Sequence, residues 1–438
     1  MLKNKRTYLV PVVGFALIIL FSSILLTESI CNYKDISFKD AMFAATSGLT
    51  TTGLTKQALS EQFNFLGQLI IAILMEIGAL GFIIIISYIW SIKGKELKVS
   101  DIILIKDNIS LDSSAMIKEQ SIFIGRLMLK VQLIGTILLS IRFVPLFGLF
   151  KGVWYGIFHT ISAFSNTGFT LFDNNSFIDF SNDIYVQVVL IGLMVMGGLG
   201  MYVIQDLKNF RKKGFSRLKL QTKIVLVVTL ILLVLPTLLL KILEPNLNVL
   251  NSLFMASTTR STGFTITPVK DLAFESKVIL MILMLIGGAP ASTTGGIKII
   301  PVTIIIVTIL STLKGRNETV IFGKRIPDST VKKSFTILML FTFILFVCCM
   351  LFAHFENVEV LNIIFDSISA ITNTGLSITD MGVLTTFGES LMMILMFIGR
   401  VGPLSMILIF VRADTKNKYI EYPKEDVVLW KNNVLLLA

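Results

Sequence analysis

Charge, histidine and cysteine are all scarce in this chain of 438 residues. Charged residues make up 15% of the sequence and hydrophobic residues 54%, whereas a soluble domain carries about 25% charged residues. Long apolar runs without charge recur, so the composition excludes a soluble protein and indicates a polytopic membrane protein. The two histidines lie far apart, and Cys31, Cys348 and Cys349 have no metal-ligand or disulfide spacing, so neither a metal or haem site nor a disulfide framework is expected.

The first apolar run, residues 8–26, follows a basic start with Lys3, Lys5 and Arg6. Such a pattern also begins a secretory signal peptide, but no small-residue cleavage site follows it, and many more apolar runs do. We therefore expect this run to be retained as the first membrane helix.

Positive charge is concentrated between the apolar runs. Seven Lys and Arg residues lie in 208–223, six in 314–333 and five in 93–118. The positive-inside rule assigns these segments to the cytoplasm, so the net charge of +11 is not taken as a sign of nucleic-acid binding. Acidic residues such as Asp179 and Glu356 fall on the other side. Two interpretations of them stay open, namely an outer mouth that concentrates cations and ordinary solvated loops.

The tetrad Thr-Gly-(Leu/Phe)-(Thr/Ser) occurs four times, and a serine stands six residues before each of its glycines. Each glycine is followed 24 to 29 residues later by the glycine of a Met-x-x-Gly motif inside an apolar run. Four copies in one register indicate an internal repeat. The copies are Ser47 with Thr52-Gly53-Leu54-Thr55 and Met75 to Gly78; Ser162 with Thr167-Gly168-Phe169-Thr170 and Met194 to Gly197; Ser257 with Thr262-Gly263-Phe264-Thr265 and Met284 to Gly287; and Ser369 with Thr374-Gly375-Leu376-Ser377 and Met396 to Gly399.

Each copy is typical of a helix–loop–helix unit. An apolar helix is followed by roughly a dozen residues, too few to cross the ~30 Å hydrocarbon core, which suits a re-entrant helix. The tetrad and a closing helix follow. Two crossings return the chain to the cytoplasm, so all four units share one orientation about an axis along the membrane normal. The three segments span about 8–27, 38–48 and 64–90 in the first unit, 123–149, 152–164 and 184–206 in the second, 222–243, 247–259 and 276–310 in the third, and 335–353, 359–371 and 388–411 in the fourth.

The predicted fold class is an all-α polytopic membrane protein. It has four tandem helix–pore loop–helix units with pseudo-fourfold symmetry around a central pore, that is, eight transmembrane helices and four re-entrant helices. The predicted divisions are the first unit 1–90, a cytoplasmic linker 91–120, the second unit 121–207, a basic linker 208–220, the third unit with a broken inner helix 221–310, a basic linker 311–333, the fourth unit 334–412 and a cytoplasmic tail 413–438.

The tetrads are candidates for an ion filter, because irregular backbone at membrane depth survives only when it is buried in protein or lines a watery cavity. Glycine permits backbone angles that are closed to other residues. Carbonyls from four such segments could therefore face one axis and replace the hydration shell of a monovalent cation. The alternative is that Thr-Gly marks ordinary turns outside the membrane. The predicted filter residues are Thr50, Thr51, Thr52, Gly53, Ser165, Asn166, Thr167, Gly168, Arg260, Ser261, Thr262, Gly263, Thr372, Asn373, Thr374 and Gly375.

With these residues the chain resembles the Trk/Ktr/HKT superfamily of potassium transporters, whose subunits carry four helix–pore loop–helix units with a filter glycine in each, and within it the bacterial KtrB type. The resemblance covers nearly the whole chain. It implies that a Gly/Ser/Thr-rich break in the third closing helix is a gate below the filter. A simple kink or close-packing site is the alternative for a stretch rich in Pro and Gly. The gate residues are Gly287, Gly288, Ala289, Pro290, Ala291, Ser292, Thr293, Thr294, Gly295, Gly296, Lys298 and Arg400.

Charged residues lie both at membrane depth and beside the predicted filter. Arg400 lies mid-helix, where a charge costs about 3 kcal/mol on insertion scales, and the resemblance implies that it is a barrier to cations under the filter. Glu76 lies at nearly the matching depth of the first unit. We hypothesise that Glu76 and Arg400 form a direct or water-bridged pair; the alternative is that each has its own partner. The resemblance implies that Arg260 contributes its carbonyl to the filter while its side chain anchors the loop.

The sequence therefore predicts the ion-translocating subunit of a potassium uptake system, with K⁺ at the filter and Na⁺ as a second candidate ion. No cofactor and no enzyme activity are expected, because the ionisable residues at membrane depth provide no acid–base or nucleophile set. A secondary transporter for another cation or solute, with a binding site in unwound helices, and a potassium channel without a partner remain as alternatives.

The resemblance also implies partners, namely a second copy of the chain in a homodimer and a cytosolic ring of KtrA-like nucleotide-binding subunits. The chain itself has no nucleotide-binding motif. Its basic linkers and its apolar C-terminal tail are the expected docking surfaces. We expect a multi-pass protein of the cell membrane, embedded in the lipid bilayer with both termini in the cytoplasm.

Overall fold

The computed structural model describes residues 6–81, 114–172, 176–207, 214–403 and Met406. Most of the predicted linker 91–120, the basic residues 208–213 and the tail 413–438 lie outside the described residues. The predicted continuations of the first closing helix to residue 90 and of the fourth to residue 411 also fall outside them, apart from Met406.

A long helix, a short helix and a closing helix follow one another in each of the four sequence repeats. The α-helices are, in the first repeat, α1 (Arg6–Thr27), α2 (Phe38–Leu49), α3 (Leu59–Gln62) and α4 (Phe65–Leu80); in the second, α5 (Ser114–Phe147), α6 (Leu149–Ser165), α7 (Ile184–Gly198) and α8 (Met201–Leu207); in the third, α9 (Leu220–Leu243), α10 (Val249–Thr258), α11 (Phe274–Leu285) and α12 (Ile299–Leu313); and in the fourth, α13 (Asp328–Phe355), α14 (Val360–Ile371) and α15 (Thr386–Val401). Single 3₁₀ turns lie at Ser29–Cys31, Ile178–Phe180, Phe215–Arg217, Val269–Asp271 and Met381–Val383.

The long first helix of each repeat forms an outer wall. α1, α5, α9 and α13 are long and apolar enough to cross a membrane. Large apolar side chains such as Phe21, Leu133, Leu230 and Phe343 are exposed on them. A belt of exposed apolar surface on helices of this length fits the hydrocarbon core of a bilayer, so we assign this wall to the lipid.

The short helices lie inside the wall. α2, α6, α10 and α14 have 12, 17, 10 and 12 residues, whereas a membrane span needs about 20. Ser37 accepts the N–H of Asp40 at the start of α2, and Asn248 accepts the N–H of Asn251 at the start of α10, as polar N-cap residues do. Each short helix ends two to four residues before the threonine of its tetrad. The four tetrads therefore follow directly on buried helix ends.

Helix packing joins the four repeats in a ring. Each short helix packs against the first helix of its own repeat. In addition α4 packs against α6, α7 against α10, α11 against α14, and α15 against α2. The closing helix of each repeat therefore contacts the short helix of the next repeat, and the fourth repeat contacts the first. The largest cluster of buried apolar side chains includes residues from all four repeats.

The closing helices of the second and third repeats are interrupted. Residues 286–298 separate α11 from α12. In the second repeat the sequence predicts one helix over 184–206, and this is wrong, because α7 and α8 meet at an angle of 99°. Gly200 lies at this bend with a φ of +81°. The carbonyls of Gly197 and Gly198, which a continuous helix would use internally, accept N–H groups from the third repeat instead.

A two-stranded hairpin occupies part of the linker 311–333, which the sequence treats as a loop. β1 (Val320–Ile321) pairs antiparallel with β2 (Lys324–Arg325). Phe322 and Gly323 between them both have positive φ, the backbone that a two-residue hairpin turn requires. The other regular elements of the described residues are helices, in keeping with the predicted all-α class.

Candidate functional site

The four tetrad glycines form a closed circuit of contacts. A Cβ atom added to Gly53 would lie 1.9 Å from the carbonyl oxygen of Thr167 in the next repeat, so only glycine fits there. The contact recurs from each repeat to the next and returns from the fourth to the first. The corresponding distances are 1.8 Å for Gly168 and Thr262, 2.3 Å for Gly263 and Thr374, and 1.9 Å for Gly375 and Thr52.

The tetrad backbones share one unusual conformation. The four glycines have φ between +84° and +88°, and the residue two positions before each glycine is also left-handed. These preceding residues are Thr51, Asn166, Ser261 and Asn373, with φ of 54°, 55°, 73° and 53°. A left-handed conformation at a residue other than glycine costs roughly 1–3 kcal/mol and persists only where surrounding contacts hold it. The four tetrads are therefore held in place by tertiary contacts.

Hydroxyl pairs brace three of the four tetrads from behind. Thr50 and Thr52 have their Oγ1 atoms 2.7 Å apart. The equivalent pairs are Ser165 with Thr167 at 2.7 Å and Thr372 with Thr374 at 2.8 Å. All of these side chains are buried, so each hydroxyl pair provides a buried hydrogen bond within its own loop.

The third repeat has Arg260 where the others have a hydroxyl. Its side chain is buried, and Nη2 donates to Thr229 Oγ1 at 3.3 Å. The position two residues before Thr262 therefore offers no hydroxyl, and Thr262 Oγ1 donates to Asn166 Oδ1 in the second repeat at 2.6 Å. Ser261 Oγ is also within hydrogen-bond distance of two carbonyl oxygens of the fourth repeat, those of Thr372 at 3.0 Å and Asn373 at 2.8 Å. The third tetrad is thus braced mainly by its neighbours.

A cavity of about 230 Å³ opens on one side of the circuit. It is lined by the four glycines and by residues that follow them, namely Leu54, Thr55, Lys56, Thr265, Ser377, Thr379, Asp380 and Met381. We call this space the tetrad cavity. Backbone and small polar side chains predominate in its wall, which suits a small hydrated ion better than an apolar ligand.

An ion-pair cluster connects the first and fourth repeats beside the tetrad cavity. Glu389 is 2% exposed, and its carboxylate lies 2.6 Å from the ammonium groups of both Lys39 and Lys56. Lys56 also contacts Asp40, and Ser37 donates to Asp40 at 2.6 Å. Burial acts to raise the pKa of the Asp40 carboxyl, but the hydrogen bonds from Lys56 and Ser37 and the charges of Lys56 and Lys39 outweigh it and hold that pKa below its ordinary value.

On the other side of the circuit, the interruption of the third closing helix docks against the bend of the second. We call residues 286–298 the break loop. The N–H groups of Ala289 and Thr293 donate to the carbonyls of Gly198 and Gly197 at 3.0 and 3.3 Å, and the N–H of Met201 donates back to the carbonyl of Ala291 at 3.2 Å. The two interruptions therefore satisfy each other's backbone groups, as membrane-depth backbone must.

The break loop also contacts the tetrads directly. Asn166 Nδ2 donates to Thr293 Oγ1 at 2.7 Å, and Thr293 Oγ1 donates to the carbonyl of Phe164 at 3.0 Å. The N–H of Gly295 donates to Ser261 Oγ at 2.7 Å. A Cβ added to Gly295 would lie 2.5 Å from Asn373 Oδ1. The left-handed residues of the second, third and fourth tetrads are therefore all in contact with this loop.

The predicted gate residues lie together at this place. Those from Gly287 to Lys298 belong to the break loop, where Thr294 Oγ1 accepts the N–H of Gly288 at 2.9 Å. The Lys298 ammonium donates to the carbonyl of Thr294 at 2.5 Å. Arg400, on α15, donates to the carbonyl of Thr293 at 2.6 Å and to the carbonyl of Gly78. The guanidinium thus links the first, third and fourth repeats.

Glu76 and Arg400 do not form the direct ion pair that was one form of our hypothesis; the water-bridged form stays a prediction. No ion pair joins them within the described part of the chain, where Gln132 of the second repeat donates to Glu76 and Arg400 uses backbone carbonyls. The reason is helix geometry. Gly78 faces the first tetrad, and Glu76 lies two residues earlier, about 200° around the helix, so its side chain points to the neighbouring repeat.

Sequence reasoning missed two parts of this site. The bend at Gly197-Gly198-Leu199-Gly200 carries three glycines in four residues, a signal for a helix interruption. The cluster of Lys39, Lys56 and Glu389 gave no such signal, because Glu389 lies more than 300 residues from both lysines and is brought to them only when the ring closes.

Comparison with known proteins agrees with this architecture. The family model described as TrkH, a cation transport protein, matches residues 6–422. The chain is 33% identical over 427 residues to the Ktr system potassium uptake protein B of Bacillus subtilis, with 95% of each chain covered. It is 31% identical over 450 residues to the potassium/sodium uptake protein NtpJ of Enterococcus hirae, covering 98% of this chain and 99% of that protein.

A solved structure gives the same fold. The crystal structure of the potassium transporter TrkH from Vibrio parahaemolyticus aligns with a TM-score of 0.74 at 18% identity, covering 93% of this chain and 85% of that one. At this identity the likeness concerns the fold, and it confirms the predicted all-α polytopic class. With the family match over nearly the whole chain, the conclusion is that this protein belongs to the TrkH family of cation transport proteins.

Proposed function

We propose that this chain is the membrane-embedded, ion-translocating subunit of a potassium uptake system and that its four tetrads form the selectivity filter. The observation that carries the proposal is the closed circuit of glycines and threonine carbonyls, one contact from each repeat to the next. The B. subtilis relative is named as a potassium uptake protein, which favours K⁺. The E. hirae relative is named as a potassium/sodium uptake protein, so Na⁺ is the second candidate ion.

The filter would act through backbone carbonyls. The oxygens of Thr52, Thr167, Thr262 and Thr374 would replace part of the hydration shell of an entering cation. Each short helix ends next to its tetrad, and a helix C-terminus carries partial negative charge, so the four helix ends would favour cations over anions. Inward movement of K⁺ would gain ~2.3 kcal/mol per charge per 100 mV of membrane potential.

The break loop and Arg400 would form a gate below the filter. Two features support this role. The loop is hydrogen-bonded to tetrad residues, including Ser261 and Asn166, and Arg400 places a positive charge on the loop carbonyl of Thr293. A cation leaving the filter would meet this charge at short range in a medium of low dielectric constant. Movement of the loop would therefore be required for rapid conduction.

Location and partners follow from the same proposal. The protein would be a multi-pass component of the cell membrane with cytoplasmic termini. The name of the Ktr system relative supports an assembly of several subunits, and we propose a homodimer on a cytosolic ring of KtrA-like nucleotide-binding subunits. Of our candidate docking surfaces, the basic linker 311–333 lies within the described residues, whereas residues 208–213 and the tail 413–438 lie outside them.

Alanine substitutions in the tetrads test the filter. Gly168→Ala and Gly375→Ala would each place a methyl group within 2 Å of a carbonyl oxygen. We expect loss of K⁺ uptake, or loss of preference for K⁺ over Na⁺, in cells that lack other K⁺ uptake and in proteoliposomes. The matched control is Gly192→Ala in α7, where an added Cβ meets nothing within 4 Å. Wild-type uptake and ion preference in both tetrad variants would refute the filter.

A further inference from the structure

The backbone that leaves each tetrad must be held against its short helix. Nine residues before the tetrad glycines, the four repeats carry Ala44, His159, Phe254 and Asp366. In the second and fourth repeats, this residue is a buried acceptor for backbone N–H groups that follow the tetrad.

His159 binds the outgoing backbone of the second repeat. Its Nδ1 lies 2.7 Å from the carbonyl oxygen of Tyr155 one helical turn earlier, so Nδ1 carries the proton and donates. Nε2 is then free to accept the N–H of Leu171 at 3.1 Å. The ring is fully buried and stacks on Phe172, with centroids 4.6 Å apart and an interplanar angle of 12°. His159 therefore fixes the backbone three residues beyond Gly168.

Asp366 makes the equivalent contact in the fourth repeat. Its Oδ1 accepts the N–H of Ile378 at 2.9 Å, and its Oδ2 accepts the N–H of Thr379 at 3.2 Å. The carboxyl is 2% exposed. Thr379 lines the tetrad cavity together with Gly375, so the carboxylate holds part of the cavity wall. A buried carboxylate that accepts two backbone N–H groups is a strong anchor.

The other two repeats are held differently. In the first repeat, Ala44 has no polar side chain, and the loop is held by Lys56 through Asp40 and Glu389. In the third repeat, the carbonyl of Thr265 accepts the N–H of Phe177 from the second repeat at 2.7 Å. The acceptors are therefore confined to the second and fourth repeats, which the cyclic order of contacts places opposite each other.

We propose that His159 and Asp366 are positioning residues that set the ion preference of the filter by fixing the outgoing backbone of two opposite repeats. This inference rests on the proposed filter. Discrimination by a carbonyl ring depends on where the oxygens are held and on how far they move around an ion. Two opposite anchors resist a change in the width of the ring. Without them the carbonyls would adapt to Na⁺ as well as to K⁺.

The sharpest test is His159→Phe. Phenylalanine keeps a ring in the aromatic cluster and its stacking on Phe172, but it cannot accept the N–H of Leu171. We expect the variant to fold with a modestly lowered melting temperature in detergent, because the N–H of Leu171 loses its acceptor, while the K⁺/Na⁺ preference of uptake into proteoliposomes falls about tenfold. Thr160→Val is the control, because Thr160 is the adjacent buried residue and its hydroxyl has no hydrogen-bond partner among the described residues.

Asp366 gives a graded second test. Asp366→Asn retains one acceptor oxygen and should retain part of the preference, whereas Asp366→Leu removes both acceptors and should lower it at least as much as His159→Phe. Ser367→Ala is the matched control, since Ser367 is equally buried and its side chain interacts with Cys349 of α13, away from the backbone that Asp366 holds. If the role of Asp366 were purely structural, Asp366→Asn would lower the melting temperature and Asp366→Leu would lower it further. The protein that remains folded would then keep the wild-type ion preference.

The outcomes separate this inference from the filter itself when Gly375→Ala is measured in the same assay. If Gly375→Ala abolishes the preference while His159→Phe and Asp366→Asn keep the wild-type ratio, the positioning role is wrong and the filter stands. If Gly375→Ala also keeps the wild-type ratio, the filter proposal fails, and this inference fails with it.

Discussion

At the scale of single residues, Thr293 connects the break loop to other repeats. Its Oγ1 accepts from Asn166 and donates to the carbonyl of Phe164, and its own carbonyl accepts from Arg400. The second and fourth repeats therefore hold this residue of the third repeat in place beneath the tetrads. If the loop is a gate, these bonds stabilise its closed position, and breaking them selectively should raise conduction.

Thr293→Val should release the loop. The substitution keeps the shape of the side chain and removes two buried hydrogen bonds, each contributing about 1 kcal/mol, so the closed position should lose enough stability to raise K⁺ flux roughly fivefold or more. Flux into proteoliposomes measures this. Thr303→Val is the control, because within the described part of the chain the Thr303 hydroxyl bonds inside α12, to the carbonyl of Ile299. Equal flux in both variants would contradict the gate assignment of Thr293.

At the scale of elements, the bend in the second closing helix and the break loop of the third form one unit. Each supplies the backbone partners that the other lacks, so neither interruption is stable alone. Gly200 lies at their contact, where an added Cβ would be 2.8 Å from the carbonyl oxygen of Pro290. A substitution at Gly200, in the second repeat, would therefore push directly on the break loop.

Gly200→Ala should alter both stability and conduction. The methyl group is strained at a φ of +81° and pushes against the break loop, so we expect a lower melting temperature in detergent and a changed K⁺ flux. Gly214→Ala is a matched control, since Gly214 has a φ of +67° and nothing lies within 4 Å of an added Cβ. That variant carries the backbone strain alone, about 1 kcal/mol, and should conduct normally. Normal flux in Gly200→Ala would show that the bend does not act on the loop.

At the scale of the whole molecule, the ring is closed by contacts between the first and fourth repeats. Glu389 is the buried centre of this closure, with Lys39 and Lys56 each 2.6 Å away. Removing one member of a buried ionic cluster leaves uncompensated charge and costs about 3–5 kcal/mol. Lys56 also lines the tetrad cavity, so the closure and the electrostatics of ion entry depend on the same side chains.

Glu389→Gln should weaken the closure and oppose cation entry. We expect a lower melting temperature and a KM for K⁺ that rises severalfold at low ionic strength. The rise in KM should be smaller at high ionic strength, because salt screens the interaction between these charges and an ion in solution. The control is Glu61→Gln. Glu61 pairs with Lys34 at 4.0 Å on the exposed surface, where an ion pair contributes little. A Glu389→Gln variant with the stability and KM of the control would refute this role.

The sequence by itself determined the membrane class, the four repeats and the positions of the tetrads. Hydropathy and the spacing of the glycines are local properties of the sequence. Both recur along the chain in the same order as the helices of the structure. The same local signals placed Arg400 and the interruption of the third closing helix at membrane depth, because a charge and a cluster of glycines interrupt an otherwise apolar run.

Only the tertiary structure decided which of these residues meet. It placed Arg400 against Thr293 and Gly78 in place of Glu76, and it gave His159 and Asp366 their backbone partners. It also joined Glu389 to lysines more than 300 residues away. The physical reason is that these contacts depend on the rotation of each helix about its axis and on the closure of the ring. Spacing along the chain specifies neither of them.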